Sequence, residues 1–170
     1  MNRIILTISL LIAVAASQAA MWNVTATMSG LNEVPPNTSP ASGTFSATYD
    51  DVTNQMTNGT GTVTGITSGI SASHIHQAVA GVNGGVVFGL GTWVGGPPNY
   101  TLTMPGTFGT LTAAQETALF ASGLYINVHS QAFPGGEIRD QLRFTPVPEP
   151  ASMAALGLGL AAIVRKRKAR

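Results

Sequence analysis

Three histidines are the residues of this chain whose spacing best suits chemistry. His74 and His76 stand two positions apart in Ser-His-Ile-His, and His129 lies in the apolar-polar alternation of 124–130. On a β-strand, residues i and i+2 project from the same face, so His74 and His76 project together while Ile75 faces the other way. If the strand that carries His129 is a neighbour, the three imidazoles converge on one patch outside the core.

Two interpretations of that patch stay open. Three imidazoles with one open position suit zinc or copper, so His74, His76 and His129 are a candidate metal site. Alternatively, the histidines hydrogen-bond to polar or backbone groups and join strand edges. The chain has no cysteine, which excludes disulfides, thiolate metal sites and a cysteine nucleophile.

The elements that must position these histidines are mostly strands. Apolar residues alternate with Thr, Ser and Asn, and the 20 glycines and 10 prolines favour turns. Asn58-Gly59 predicts a hairpin turn. Thr112 and Gln115 fit a capping box, so one short helix is expected before Gly123. Besides the His-Ile-His segment, strands are predicted at 22–28, 44–49, 60–66, 86–90, 100–104, 124–130 and 137–144. The pattern indicates an all-β sandwich with one short helix.

Both ends carry address signals. Residues 1–20 fit a secretory signal peptide, because Arg3 precedes an apolar run from Ile4 to Ala16 and small residues follow it. This segment implies the Sec export machinery as a partner. The domain is therefore expected to occupy residues 21–146, with a terminal signal at 147–170.

The C-terminal signal has three parts in order. Pro148, Glu149 and Pro150 precede an apolar run from Ala151 to Val164, and a basic tail follows. As a helix the run spans about 21 Å, which is a marginal membrane span. Basic side chains can extend it by reaching the interface, and they place the tail in the cytoplasm. The basic residues of this tail are Arg165, Lys166, Arg167 and Lys168.

This end resembles the PEP-CTERM sorting signal of Gram-negative bacteria. The resemblance implies recognition by an exosortase and removal of the tail, in a bacterium that makes extracellular polysaccharide. The expected path is export, an inner-membrane intermediate, and then the cell surface or extracellular space. A plain single-span anchor is the alternative.

Charge excludes one class of partner. The whole chain has a net charge of +1, but the segment from Met21 to Pro146 holds two basic and six acidic residues, a net charge of −4. Such a surface repels phosphate backbones, so nucleic-acid binding is not expected.

The central region resembles the CHRD domain, named after chordin. The resemblance rests on Leu-Asn-Glu-Val-Pro-Pro at 31–36, Ser-His-Ile-His at 73–76 and Tyr-Ile-Asn-Val-His-Ser at 125–130, followed by Pro-Gly-Gly-Glu-Ile-Arg at 134–139. It implies an extracellular, immunoglobulin-like Greek-key β-sandwich with no established enzymatic activity. Asp140 departs from the family pattern, which usually continues with Gly, and we expect it on an exposed edge or paired with Arg139 or Arg143.

A fainter resemblance is to copper-zinc superoxide dismutases, which share the His-x-His strand and the sandwich architecture. Their two-metal site needs six histidines and an aspartate, and this chain has three histidines. Only a mononuclear copper or zinc enzyme would remain, and we expect no enzyme.

The remaining candidates are read as structural. Glu33 is expected to be an isolated carboxylate, and Glu137 and Arg139 to form an ion pair on an exposed strand face. Trp22, Trp93 and Tyr100 either stack on sugars or belong to the core. The predicted function is a cell-surface or matrix module with a binding or structural role linked to exopolysaccharide, and the alternative is metal binding at the three histidines.

Overall fold

The computed structural model describes residues 21–148, which form one antiparallel sheet and one short helix. The strands are β1 (Met21–Ser29), β2 (Ser42–Asp50), β3 (Gln55–Thr64), β4 (Ile70–Gln77), β5 (Gly85–Gly89), β6 (Val94–Gly96), β7 (Asn99–Thr110), β8 (Leu124–Ser130), β9 (Ile138–Gln141) and β10 (Arg143–Pro146). A 3-10 turn covers Gly30–Asn32, and α1 covers Ala113–Phe120. The predicted signal peptide at 1–20 lies outside the described residues.

The sheet curls into a sandwich around one core. The strand order is β5-β4-β8-β9-β1-β2-β3-β7-β6, with β10 paired to β1 beside β9. Phe88 of β5 meets Phe108 of β7 with ring centroids 6.0 Å apart, although these strands stand near opposite ends of the order. Trp93, just before β6, donates its indole N–H to the Ser73 hydroxyl of β4. The predicted all-β sandwich with one helix is confirmed.

The core follows the alternation seen in the sequence. Val24, Ala26 and Met28 of β1 are buried, while the Thr and Asn residues between them are exposed. Trp93 and Tyr100 are also buried, and Trp22 is half-buried against Phe120 and Phe144. These aromatic side chains belong to the core and its margin and do not form a sugar-stacking platform.

The predicted helix is confirmed with its cap. Thr112 accepts from the Gln115 backbone N–H, and the Gln115 side chain accepts from the Thr112 backbone N–H. Leu119 is fully buried, so the helix is held on the sandwich by its apolar side.

The hairpin predicted at Asn58-Gly59 is wrong. These residues lie inside β3, where the pairing with β7 shifts register and Asn58 adopts a φ of 53°. The turn between β2 and β3 occupies 51–54, where the Asp50 carboxylate accepts from the backbone N–H groups of Val52 and Thr53. The Asn-Gly pair therefore forms a β-bulge instead of a turn.

Candidate metal centre

Two adjacent strands bring the three histidines together. β4 carries His74 and His76, β8 carries His129, and the antiparallel register pairs Ala72 with His129 and His74 with Asn127. The Nδ1 atom of His74 lies 3.2 Å from the Nε2 atom of His129. One ring nitrogen from each histidine lies within 4.8 Å of the others. The convergence that the i, i+2 spacing predicted is present.

Backbone carbonyls fix the tautomers of two of these rings. The Nδ1–H of His76 donates to the carbonyl of Gly84 at 3.0 Å, and the Nδ1–H of His129 donates to the carbonyl of Pro134 at 3.0 Å. A carbonyl oxygen only accepts, so both rings carry their proton on Nδ1 and a lone pair on Nε2. Metal-binding histidines are typically oriented in this way by a hydrogen bond from the other ring nitrogen.

The lone pair of His76 has no protein partner. Its Nε2 atom is buried and makes no hydrogen bond. Leaving such a buried polar atom unsatisfied costs about 1–3 kcal/mol. Since the Nε2 of His129 also carries a lone pair, the Nδ1 of His74 either donates to it or presents a third lone pair to the same point.

The spacing suits a small cation. In a tetrahedral site with metal–nitrogen bonds of about 2.0–2.1 Å, ligand atoms are roughly 3.3–3.4 Å apart. The 3.2 Å between His74 Nδ1 and His129 Nε2 is close to that edge length, and the cluster as a whole, within 4.8 Å, would contract around a bound ion. Burial lowers the pKa values of His76 and His129 from their ordinary value, against the hydrogen bonds to the carbonyls, which raise them. Both rings are therefore held in the neutral form that binds metals.

A stack of side chains supports His76 from behind. The His76 ring lies nearly parallel to Tyr125, with centroids 4.9 Å apart and an interplanar angle of 11°. The guanidinium of Arg139 lies 4.6 Å from the Tyr125 centroid. Gly84 is hydrogen-bonded to both stacked residues: its N–H donates to the Tyr125 hydroxyl, and its carbonyl accepts from the Nδ1–H of His76.

Glu137, just before β9, and Arg139 of β9 are both buried. The prediction that they form an ion pair on an exposed strand face is therefore wrong. Glu137 and Arg139 are 0% and 1% exposed. Glu137 accepts from the Ser39 hydroxyl, and Arg139 donates to the carbonyl of Asn32 and the side chain of Asn83. The partners of both residues come from loops that cover β9, not from each other.

Glu33 is not an isolated surface carboxylate. It is 5% exposed and accepts a long hydrogen bond from Asn127, which lies on β8 between Tyr125 and His129. Burial raises the pKa of Glu33 from 4.5 to about 7, although the charge of Arg139 and hydrogen bonds oppose the rise. A protonatable carboxyl therefore contacts Asn127, the residue that pairs with His74 across β4 and β8.

Asp140 pairs with Arg143, which is one of the two arrangements predicted from the sequence, but it is buried. It forms a salt bridge with Arg143 and accepts from the backbone N–H of Thr27. Asp140 is 6% exposed, so it does not lie on an exposed edge. Its carboxylate links β9 to the neighbouring strand β1.

The sorting signal lies almost entirely beyond the described part. Pro148 is described and exposed. Glu149, Pro150, Arg165, Lys166, Arg167 and Lys168 lie outside residues 21–148. Within that range, no helix has the length and apolar character needed to cross a membrane.

The groups that orient the histidines could not be predicted from the sequence. They are the backbone carbonyls of Gly84 and Pro134, which have no side-chain signature, and the residue pattern around them predicts only turns. Tyr125 could have been found, because it shares a strand face with His129 in the predicted alternation. Asn127 lies between them on the same face.

Comparison with known proteins agrees with the motifs. A model of the CHRD domain family matches residues 24–142, and a model of the PEP-CTERM protein-sorting motif matches residues 146–168. A comparison with curated proteins gave no match. A comparison with solved structures gave none.

Proposed function

The chain belongs to the CHRD domain family, and from that premise we propose that its histidine cluster is a mononuclear copper or zinc site on an exported protein. The PEP-CTERM motif marks a protein that passes through the membrane to the cell surface, and it implies processing by an exosortase. The single observation that carries the proposal is the buried, unpartnered Nε2 of His76, in a residue that has a ring nitrogen within 4.8 Å of those of His74 and His129.

The donor set supports copper or zinc in particular. Neutral imidazoles suit both metals, whereas magnesium and calcium prefer oxygen ligands. Among residues 21–148, the group of metal-ligating side chains consists of the three histidines alone. Three protein ligands leave a fourth position for water or a small molecule.

Gly84 allows a test of the hydrogen bond that orients the His76 ring. In a Gly84→Ala variant the new Cβ would collide with the backbone carbonyl of Gln77, so the residue must shift. That shift removes the acceptor of the His76 Nδ1–H. We expect zinc affinity to fall about 10- to 100-fold, as for other losses of ligand-orienting bonds, when measured by isothermal titration.

Gly85→Ala is the matched control. A Cβ at Gly85 meets no atom within 4 Å, so the substitution leaves the backbone where it is. This variant should bind zinc within about twofold of the natural protein. Equal affinity in the Gly84 and Gly85 variants would show that the carbonyl does not orient a metal ligand.

A second candidate function is association with the extracellular polysaccharide matrix. The observation in its favour is the surface of the sandwich, which is rich in exposed Thr, Ser and Asn and poor in charge, with 9% charged residues in the chain. Such a surface can hydrogen-bond to a hydroxyl-rich polymer without attracting polyanions.

The matrix role predicts where the protein is found. In a strain that cannot make its exopolysaccharide, we expect the protein to move from the matrix fraction into the soluble medium, because its ligand is missing. Immunoblots of the two fractions would measure this shift. An unchanged distribution in that strain would refute the matrix role while leaving the metal proposal intact.

A further inference from the structure

Four adjacent strands carry hydroxyl residues in register on the outside of the sandwich. β1, β2, β3 and β7 each present two Thr or Ser residues two positions apart, in the segments Thr-Ala-Thr, Thr-Phe-Ser, Thr-Gly-Thr and Thr-Leu-Thr. The strand pairings align them into two rows across the sheet. The rows, together called the threonine face, are Thr27, Thr44, Thr62 and Thr101, and Thr25, Ser46, Thr60 and Thr103.

The threonine face is exposed and carries no charge. All eight side chains are exposed, while the intervening residues on the same strands are buried. β-branched Thr is stiff at χ1, so this surface loses little side-chain freedom when a ligand covers it.

The hydroxyl groups of the threonine face keep free hydrogen-bonding positions, most of them acceptors. Thr44 and Thr62 share a hydrogen bond of 2.9 Å, and so do Ser46 and Thr60. A hydroxyl has one donor and two acceptor positions, so each pair keeps one donor and three acceptor positions. A partner with many O–H groups fits this balance.

Two shallow depressions lie on either side of the first row. Their volumes are about 490 and 370 Å³, and both are lined by Thr27, Thr44, Thr62 and Thr101. That row therefore borders both depressions and crosses the four strands. Neighbouring strands are about 4.8 Å apart, so a chain lying along the row meets a hydroxyl at each such step.

The area argues against a protein occupant. With that strand spacing and about 6.7 Å between i and i+2, the two rows cover on the order of 250 Å². A stable protein–protein interface buries about 800 Å² per partner. A linear polymer repeats the same short segment many times, so many equivalent positions along it can occupy a contact of this size.

We infer that the threonine face is a docking surface for a neutral, linear polysaccharide that lies along the Thr27-to-Thr101 row. The inference rests on the proposed matrix role and adds to it the surface and the class of polymer. Anionic polymers are excluded from the proposal, because the domain has a net charge of −4, and the cation beside the face, Arg143 opposite Thr25, is paired with Asp140.

The test is co-sedimentation of the full chain, in detergent, with amorphous cellulose and with calcium alginate. The first is a neutral linear probe and the second an anionic one. The variant T27V/T44V/T62V/T101V removes the hydroxyls but keeps the β-branched shape. We expect the natural chain to bind cellulose only, and the valine variant to bind it at least tenfold more weakly.

Two further variants keep the outcome interpretable. T27S/T44S/T62S/T101S keeps every hydroxyl and should bind within about threefold of the natural chain. T38V/T92V alters two exposed threonines away from the face and should bind within about twofold. If the valine variant fails to fold, loss of binding in the serine variant would by itself overturn the inference.

The other outcomes distinguish failure of the matrix role from failure of the threonine face as its binding surface. If the natural chain binds neither polymer, the matrix role and the inference both fail. If the natural and valine chains bind cellulose equally, the assignment of the face fails while the matrix role stands. Binding of alginate, or self-association that the valine variant loses, would also overturn the inference, in favour of a polyanion or a second copy.

Discussion

A His129→Ala variant should lose zinc or copper affinity by at least a hundredfold. Removal of a group that only orients a metal ligand typically costs 10- to 100-fold, and His129 supplies a ligand atom itself. Its loss also leaves His74 Nδ1 without the neighbour that lies 3.2 Å away. Two imidazoles then remain, and open water positions replace the third. Isothermal titration with each metal measures the change.

The thermal unfolding of the same variant separates metal binding from simple joining of strands. A ligand that binds only the folded state at 100 times its Kd adds about 2.7 kcal/mol to the free energy of unfolding. The natural protein should gain that stability on addition of zinc, and His129→Ala should not. Gln131→Ala, an exposed change two residues further along, is the control and should respond as the natural protein does. If zinc stabilises none of the three, the histidines only connect β4 to β8.

The second large effect is the pH dependence of folding stability that Glu33 causes. Burial raises the pKa of its carboxyl from 4.5 to about 7 in the folded protein. Folding therefore favours the protonated form, so this contribution to stability is complete below pH 4.5 and is lost as the pH rises through 7. The two pKa values correspond to about 3 kcal/mol as an upper value, since one pKa unit equals 1.36 kcal/mol.

Glu33→Gln should remove this pH dependence. Glutamine has the shape of the protonated acid and keeps an oxygen that accepts from Asn127. Urea unfolding at pH 5 and pH 8 should show that the natural protein loses up to about 2.5 kcal/mol more than the variant, since part of the effect lies below pH 5. His76 and His129 act in the opposite direction, because their lowered pKa values cost stability as the pH falls below about 6.5. They are present in both proteins and cancel in the comparison. An equal change in both proteins would show that Glu33 stays ionised.

Local patterns predicted the parts of the site that depend on strand alternation. The i, i+2 spacing of His74 and His76 placed them on one face, and the capping box at Thr112 placed the helix. These features depend on neighbours within a few residues, which a single sequence displays. The convergence on His129 needed only that β4 and β8 be adjacent.

The parts that were missed depend on loops that meet far along the chain. Glu137 and Arg139 are buried because segments around Asn32, Ser39 and Asn83 fold over β9. Nothing in the alternation of β9 signals that cover. Likewise, Asn58-Gly59 has the composition of a hairpin turn, but the pairing of β3 with β7 turns it into a bulge.

The most direct test of the metal centre is the long-range ¹H–¹⁵N NMR spectrum of the histidine rings during a zinc titration. We expect saturation at one zinc per chain, with coordination shifts at the Nε2 atoms of His76 and His129 and at the Nδ1 atom of His74. The Nδ1 atoms of His76 and His129 should keep their protons, because the carbonyls of Gly84 and Pro134 hold them. Ring signals that stay unchanged at one equivalent of zinc would contradict the account, as would coordination through the Nδ1 of His76 or His129.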